Sequence, residues 1–448
     1  MEQSSGALKM SRYDIVLYGA SGFTGAYVLK LLLEEQKQQS ISFAIAGRSE
    51  ARLRKLLNST GQDLGKDLRN ISIIIANSYD ESTLVAMAKQ AKVIINVVGP
   101  YRLYGEAVVK ASVENGASYV DISGEPAFLE SMQMKYNDIA QKNGLYVVGA
   151  CGWDSIPCDL GVNFLKEKFN GQLNHVETFV QLNTGPAGYS FNAGTYRTLV
   201  LGMANMMTDG LGKIRRTIMP ERLPKSSFRA PKRGTFWFNE KIDGWCLPFY
   251  GSDKSVVTRS QYFDYKFHNV LPVQVETFIR VKSFVWACLL SLWLVVFSAA
   301  AKVSFMKDFL LAYPGLCSFG MFKDSGPTAE QENQFPLILN LLLFLLKKIK
   351  QASFTYWFFG TGWTEKHSSL DEYKVKPNKQ MVARCVGPDA GYISTSACIL
   401  AAALSLLSDA DKLPQGGVYT SAAAFKDTGI YGRLERYGVR FEIVDEIN

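Results

Sequence analysis

The chain has 448 residues, 47% of them hydrophobic and 20% charged, with a formal net charge of +8. That is roughly three domains' worth of chain at ~150 residues each, so a single small module is excluded, and so is a largely disordered or collagen-like polymer. Seven cysteines without a C-x-x-C, beside only three histidines, exclude a disulfide framework and a Cys/His zinc site.

The polar stretch Met1 to Met10 lacks an apolar core of signal-peptide length, which places the chain on the reducing, cytosolic side, with residues 1–11 as a disordered lead-in. Tyr13 to Tyr18 reads as a short buried strand. It turns through Gly19-Ala20-Ser21-Gly22-Phe23-Thr24-Gly25 into a helical pattern that runs to about Glu35. Strand Phe43 to Ala46, helix Ser49 to Leu57, strand Ile71 to Ala76, helix Glu81 to Gln90 and strand Val93 to Val98 follow. Helix Glu106 to Asn115, strand Tyr119 to Ile122, helix Ala127 to Lys142 and strand Leu145 to Val148 complete the alternation. Strands alternating with helices of this length are βαβ units with right-handed crossovers, so residues 12–169 are expected to form a Rossmann-type doubly wound parallel sheet.

Within that sheet the glycines have separate tasks. Gly19 permits a tight turn, Gly22 lets backbone approach a pyrophosphate, Gly25 lets the helix pack on the strand, and the helix start offers N–H groups to phosphate. Ser21, Phe23 and Thr24 belong to the same loop. At the end of the second strand an NAD site usually carries a carboxylate for the ribose 2′-hydroxyl, whereas this chain has Ala46-Gly47-Arg48-Ser49. A guanidinium and a hydroxyl suit a 2′-phosphate, so NADP(H) is expected over NAD(H). The loops after strands four, five and six hold the remaining candidates: Asn96, Gly99 and Pro100 beside the cofactor, and Tyr101 and Asp154 as catalytic candidates, Tyr101 as proton donor. Asp154 or Ser155 is alternatively a cap for a helix starting near Pro157. Cys151 and Cys158 read as packing residues. Tyr262 and Lys266 match a Y-x-x-x-K pair by chance, far outside the Rossmann unit.

Beyond Val176 the pattern changes to strand-like stretches such as Val176 to Leu182 and Val273 to Val281, expected to form a mostly antiparallel second sheet in an α+β substrate or dimer domain of residues 170–282 and 351–393. Between Lys213 and Arg233 eight basic residues face one acid, Glu221, among three prolines. This reads as an exposed loop, either solvated or drawn to an anionic lipid surface, with no nucleic-acid module beside it. Residues 283–350 form an apolar insert. Ser283 to Ala301 has no charge and at ~1.5 Å per residue spans ~28 Å, just under a bilayer core, and Phe335 to Leu346 is a shorter run followed by Lys347, Lys348 and Lys350. A single crossing would separate the end of the chain from the Rossmann domain, so the insert either enters and leaves one lipid face or is buried within the protein or a homodimer seam. Strand Lys379 to Val386, helices Thr395 to Leu407 and Gly429 to Tyr437 and strand Arg440 to Val444 follow, with residues 394–448 expected back on the Rossmann domain.

Taken together, GASGFTG (19–25), AGRS (46–49), NVVGPYRLY (96–104), DISGEP (121–126) and WDSIPCDLG (153–161) resemble the saccharopine dehydrogenase family, in its saccharopine dehydrogenase-like oxidoreductase branch. The likeness continues through Gly185-Pro186, Gly251-Ser252-Asp253, Gly326-Pro327-Thr328 and GPDAGY (387–392). The resemblance implies a Rossmann domain joined to an α+β domain and an association with lipid droplets or other membranes. Related bacterial proteins act as trans-acting enoyl reductases on long lipid chains, and Tyr101 and Asp154 match substrate-pocket positions of the reductases. The histidine-poor loops and the apolar insert depart from the amino-acid enzymes. The expected function is therefore an NADPH-dependent oxidoreductase of a hydrophobic carbonyl, imine or activated alkene at a cytosol-facing lipid surface. The alternatives are a dinucleotide-binding lipid-droplet scaffold or sensor and a saccharopine-type amino-acid dehydrogenase, for which Arg102 and Arg197 are the available carboxylate-binding residues.

Overall fold

The computed structural model describes residues 12–184, 189, 191–323 and 352–447. The N-terminal lead-in, Gly185-Pro186, Gly326 to Thr328 and the run Phe335 to Leu346 with its lysines lie outside the described residues.

Strands β1 (Tyr13–Tyr18), β2 (Phe43–Gly47), β3 (Ser72–Ile75), β4 (Ala91–Asn96), β5 (Ser118–Asp121) and β6 (Tyr146–Val148) form one parallel sheet in the order β3-β2-β1-β4-β5-β6. Ile15, Leu17, Ile45 and Ile95 face one helical layer while Val16, Ala44, Ala46 and Ile94 face the other, so these strands are continuous apolar runs, as a sheet covered on both sides requires. The strand order reverses between β1 and β4, which places a ligand crevice at their carboxyl ends. Helix Tyr101–Glu114 begins five residues ahead of its expected start. The loop-like Tyr-Arg-Leu-Tyr-Gly sequence is held helical because Glu125, from the loop after β5, accepts from the first two backbone N–H groups at 2.8 and 3.2 Å.

After helix Ile156–Lys168 come β7 (Gln172–Asn183), the short β8 (Phe191–Asn192), β9 (Trp237–Asn239), β10 (Gly244–Pro248), β11 (Gln274–Val281) and the short β12 (Phe322–Lys323). The chain then continues through β13 (Ser353–Trp363), β14 (Lys379–Pro388), β15 (Gly417–Tyr419) and β16 (Arg440–Ile447). The second sheet has the order β16-β14-β13-β7-β11-β10-β9. All its pairings are antiparallel except β7 with β11. β15 returns to the first sheet and pairs parallel with β6, and helix Thr395–Ser408 packs on β4, β5 and helix Phe23–Gln39. β16 instead runs along the second sheet's edge.

Helices Ala193–Asn205, Phe284–Ala301 and Ser304–Ala312 form a separate apolar unit around Tyr196, Val200, Met203, Phe297, Ala301 and Leu310. Helix 284–301 joins this unit through Phe297 and Ala301 and also packs on β10 and β11, with Ala287 buried, while Val285, Leu289, Leu292 and Val296 form a bare stripe along its opposite side. Residues 390–408 are also apolar enough to cross a membrane by length and composition, but they are buried in the protein core. The basic stretch also departs from the expected loop. Residues Leu211–Ile218 are helical because the first proline, Pro220, comes after them, and two of the arginines are committed, Arg215 to Glu130 at 2.9 Å and Arg233 to Glu177 at 2.7 Å.

Candidate cofactor site and the cleft beside it

The loop between β1 and helix Phe23–Gln39 is built around absent side chains. Gly19 has φ of 91°, and a Cβ on Gly25 would lie 2.4 Å from the Gly19 carbonyl oxygen and 2.7 Å from the Ala20 Cα. Only a glycine lets the helix start this close to the turn. Gly22 ends the loop with no side-chain cap, and Ser21 and Gly22 are exposed, so the helix start is open to an incoming phosphate. Phe23, the first helical residue, packs edge-on against Tyr392 of the second domain at 4.3 Å, and Thr24 follows it half-buried.

Next along the crevice, Arg48 is exposed at the end of β2, and Ser49 accepts from the Arg52 N–H at 3.4 Å, capping helix Glu50–Leu64. Arg48, Ser78, Tyr104, Gly99 and Pro100 line a cavity of about 470 Å³. Asn96 is buried and spent internally. Its side-chain oxygen accepts from Val98 N–H at 2.9 Å and its amide donates to the Tyr119 hydroxyl at 3.0 Å, which fixes the turn behind Gly99. Tyr101 is buried too. Its hydroxyl donates to the Asn96 carbonyl at 2.9 Å and accepts from Ile122 N–H at 3.3 Å, tying the ends of β4 and β5, and burial followed by the charge of Asp121 raises its phenol well above the usual range.

Past β5 and β6, on the side of the sheet away from Arg48, lies a carboxyl cluster. Asp154 keeps partial access to solvent, and its carboxyl is held between Gly124 and Gly251. A Cβ on either glycine would come within 2.5 and 2.9 Å of its oxygens. Ser252 donates to it at 3.3 Å and shares a 2.8 Å hydrogen bond with Ser155. Burial raises the Asp154 carboxyl to about 7, against the weaker lowering effect of Ser252. Asp253 is fully buried, accepts from the Tyr356 hydroxyl at 2.8 Å, and keeps its other oxygen without a hydrogen bond. Burial, and then the neighbouring Asp154 charge, push it well above the carboxylate range. A carboxylic acid that holds its proton near neutrality and keeps access to solvent, as Asp154 does, is equipped to donate it.

Residues 15–148 match the model of the saccharopine dehydrogenase NADP binding domain. The chain is 52% identical over 440 residues to the "Lipid droplet localized protein" of Caenorhabditis elegans, covering 98% of this chain and 99% of the relative. It is 36% identical over 445 residues to the human "Saccharopine dehydrogenase-like oxidoreductase", again with 98% and 99% coverage. This chain belongs to the saccharopine dehydrogenase-like oxidoreductase family. The yeast saccharopine dehydrogenase (L-Glu forming) shares its fold at 15% identity, with a TM-score of 0.51 over 97% of this chain and all of that one.

In this saccharopine dehydrogenase-like oxidoreductase the matched NADP-binding domain is therefore β1 to β6 with the helices between them. The donor set fits NADP(H): an uncapped helix start behind a glycine cradle, and a guanidinium rather than a carboxylate at the end of β2. Arg102 is committed elsewhere, to Glu125 at 3.2 Å and Asp209 at 3.0 Å, and Arg197 lies on the Arg48 side of the crevice, far along the sheet from Asp154. Ser155 caps nothing, since its hydroxyl goes to Ser252. Cys151 and Cys158 are buried with thiols raised well above the usual range by burial, then by Asp121 and Asp253 respectively. Lys266 is exposed and paired with Glu221. Asp253 stood in sequence only as part of the Gly251-Ser252-Asp253 match and had no role at a site. Its link to Asp154 exists only because Gly251-Ser252-Asp253 folds back against the loop after β6.

Proposed function

We propose that the chain is an NADPH-dependent reductase of a lipid-soluble carbonyl, imine or activated alkene, working at a lipid-droplet or membrane surface on the cytosolic side. The observation that carries this reading is the uncharged helix Phe284–Ala301, bare along one stripe and packed on its own protein along the other. A helix held to its own protein at its start, where Phe284 meets Phe236 and Trp245, and at its end, through Phe297 and Ala301, is suited to lie in a lipid interface instead of crossing it, and the aromatic group Phe236, Phe238, Trp245 and Phe284 suits the headgroup level. The name of the nematode relative, which places that protein on lipid droplets, supports the same surface.

In this reading Gly19, Ser21, Gly22, Phe23, Thr24 and Gly25 form the pyrophosphate loop, Arg48 and Ser49 read the 2′-phosphate, and Gly99 and Pro100, set by Asn96, border the ribose. NADPH supplies the reducing hydride equivalent when bound. Asp154 holds the proton that the reduced substrate takes up, with its oxygens oriented by Ser252 and confined between Gly124 and Gly251. Tyr101 holds the loops that frame this cleft, so the donor role passes from its hydroxyl to Asp154. The domain limits expected from sequence, 12–169 for cofactor and 170–282 with 351–393 for substrate, go with this proposal.

The test is NADPH oxidation by the full chain against lipophilic aldehydes, ketones, imines and enoyl esters presented in a phospholipid-coated oil emulsion. Turnover of one class, lost in Asp154→Asn with NADPH affinity unchanged, is the expected result. Tight NADPH binding with no turnover of any class would leave the dinucleotide-binding scaffold.

A further inference from the structure

The cavity beside Arg48 has a second wall, and it does not come from the Rossmann domain. Arg197 and Leu201 from helix Ala193–Asn205 and Leu311 from helix Ser304–Ala312 face Arg48, Ser78 and Tyr104 across it. We propose that these three residues complete the adenosine 2′-phosphate site, so that the unit carrying the lipid-facing helix is itself part of the NADP(H) site.

Three features support this assignment. At about 470 Å³ the cavity is of small-ligand size, within the usual ~300 to 1,000 Å³, and it lies at the carboxyl ends of β2 and β3, where a doubly wound sheet receives the adenosine half of a dinucleotide. The cationic groups share one space, since Arg48 and Arg197 come from different domains yet line the same cavity as Tyr104. Two guanidiniums on one cavity match a dianionic phosphate better than one does. The remaining wall is apolar on one side, Leu201 and Leu311, and aromatic on the other, Tyr79 and Tyr104, which are joined by a 3.2 Å hydroxyl hydrogen bond. Such a slot takes a flat base.

Helix periodicity explains how one helix serves two neighbours. Arg197 and Leu201 are four apart and share the cavity face, while Tyr196, Val200 and Met203 turn toward Phe297 and Ala301 of the lipid-facing helix. Helix Ser304–Ala312 repeats the division, with Leu311 on the cavity, Leu310 in the core of the unit and Phe305 and Phe309 exposed.

This inference rests on the crevice being the NADP(H) site, and the experiment separates the two. The full chain is titrated calorimetrically with 2′,5′-ADP and with 5′-ADP, alongside Arg48→Ala, Arg197→Ala, Arg197→Lys and Leu311→Gln. A preference of the wild type for 2′,5′-ADP is expected. Each alanine variant should lose about tenfold to a hundredfold in that affinity and little for 5′-ADP, Arg197→Lys should recover part of the loss, and Leu311→Gln should weaken both nucleotides together. If Arg48→Ala weakens 2′,5′-ADP while the Arg197 variants and Leu311→Gln leave both affinities unchanged, the second wall is overturned and the cofactor site stands. If the wild type does not discriminate the two nucleotides, the cofactor reading itself falls.

Discussion

Replacing the bare stripe of helix Phe284–Ala301 should release the protein from lipid without unfolding it. Val285, Leu289, Leu292 and Val296 are 63, 47, 61 and 58% exposed, so roughly half of each side chain is already against the protein and half is free to enter lipid. Full burial of such a side chain stabilises by ~1.5 to 3 kcal/mol, so the exposed halves of four contribute about 3 to 6 kcal/mol to adsorption. At 1.4 kcal/mol per decade, that is about a hundredfold to ten-thousandfold in partitioning. The quadruple change to glutamine is suited to the test because glutamine is nearly as good a helix former as leucine, and the packed stripe of Ala287, Phe297 and Ala301 stays intact. Flotation with phospholipid-coated triolein droplets reads the partition, and circular dichroism with NADPH titration reads the fold. A folded quadruple variant that floats as well as the wild type would refute the side-on docking argument, as would release of the wild type by high salt alone, because apolar adsorption is not screened.

The raised Asp154 carboxyl makes two pH dependences. As proton donor it must be protonated, so the rate should fall about tenfold per unit above pH ~7, and Asp154→Asn should be slow and flat across the same range. A carboxyl whose folded value lies above its unfolded one binds more protons in the folded state, so the wild type should lose stability as pH rises from about 4 to about 7 and Asp154→Asn should lose less, which denaturant melts at several pH values would show. Arg102→Ala leaves the buried Glu125 carboxylate without its guanidinium and should cost about 3 to 5 kcal/mol of stability in urea melts, whereas a substrate-binding arginine would leave stability nearly unchanged. If helices 193–205 and 304–312 wall the cofactor, droplets should change NADPH affinity and NADPH should change droplet partitioning by the same factor, as linkage requires. Paired flotation and titration check this equality.

Much of the first sheet was legible because its strands are apolar on both faces and its glycines have no other reason for their spacing. β1 begins and ends where the pattern places it, and β2, β3 and β4 shift by one or two residues. What escaped depended on partners distant in sequence. Helix Tyr101–Glu114 gains its first turn from Glu125. β15 has three residues, too few to show a period, and exists as a strand because β6 offers an edge. The parallel pairing of β7 with β11 interrupts an otherwise antiparallel sheet and leaves no local mark. In the site, Arg48 could be read from its place after β2 and Asp253 only as the end of the Gly251-Ser252-Asp253 match, whereas Leu201 and Leu311 carry no motif and Arg197 none for a nucleotide, so these three are brought in only by the packing of one domain on the other.

The return of β15 to β6 also sets an order of events during synthesis. Until Gly417–Tyr419 has left the ribosome, β6 is a bare parallel edge with unpaired backbone groups, and the strip of Val285, Leu289, Leu292 and Val296 is already outside. The nascent chain therefore displays two adhesive surfaces, an open sheet edge and a greasy helix, before it can close the first domain. A ribosome stalled ahead of Gly417 would hold out a chain that chaperones or a nearby lipid surface must shield, and β15, the last strand of the first sheet to arrive, acts as the latch on the first domain begun.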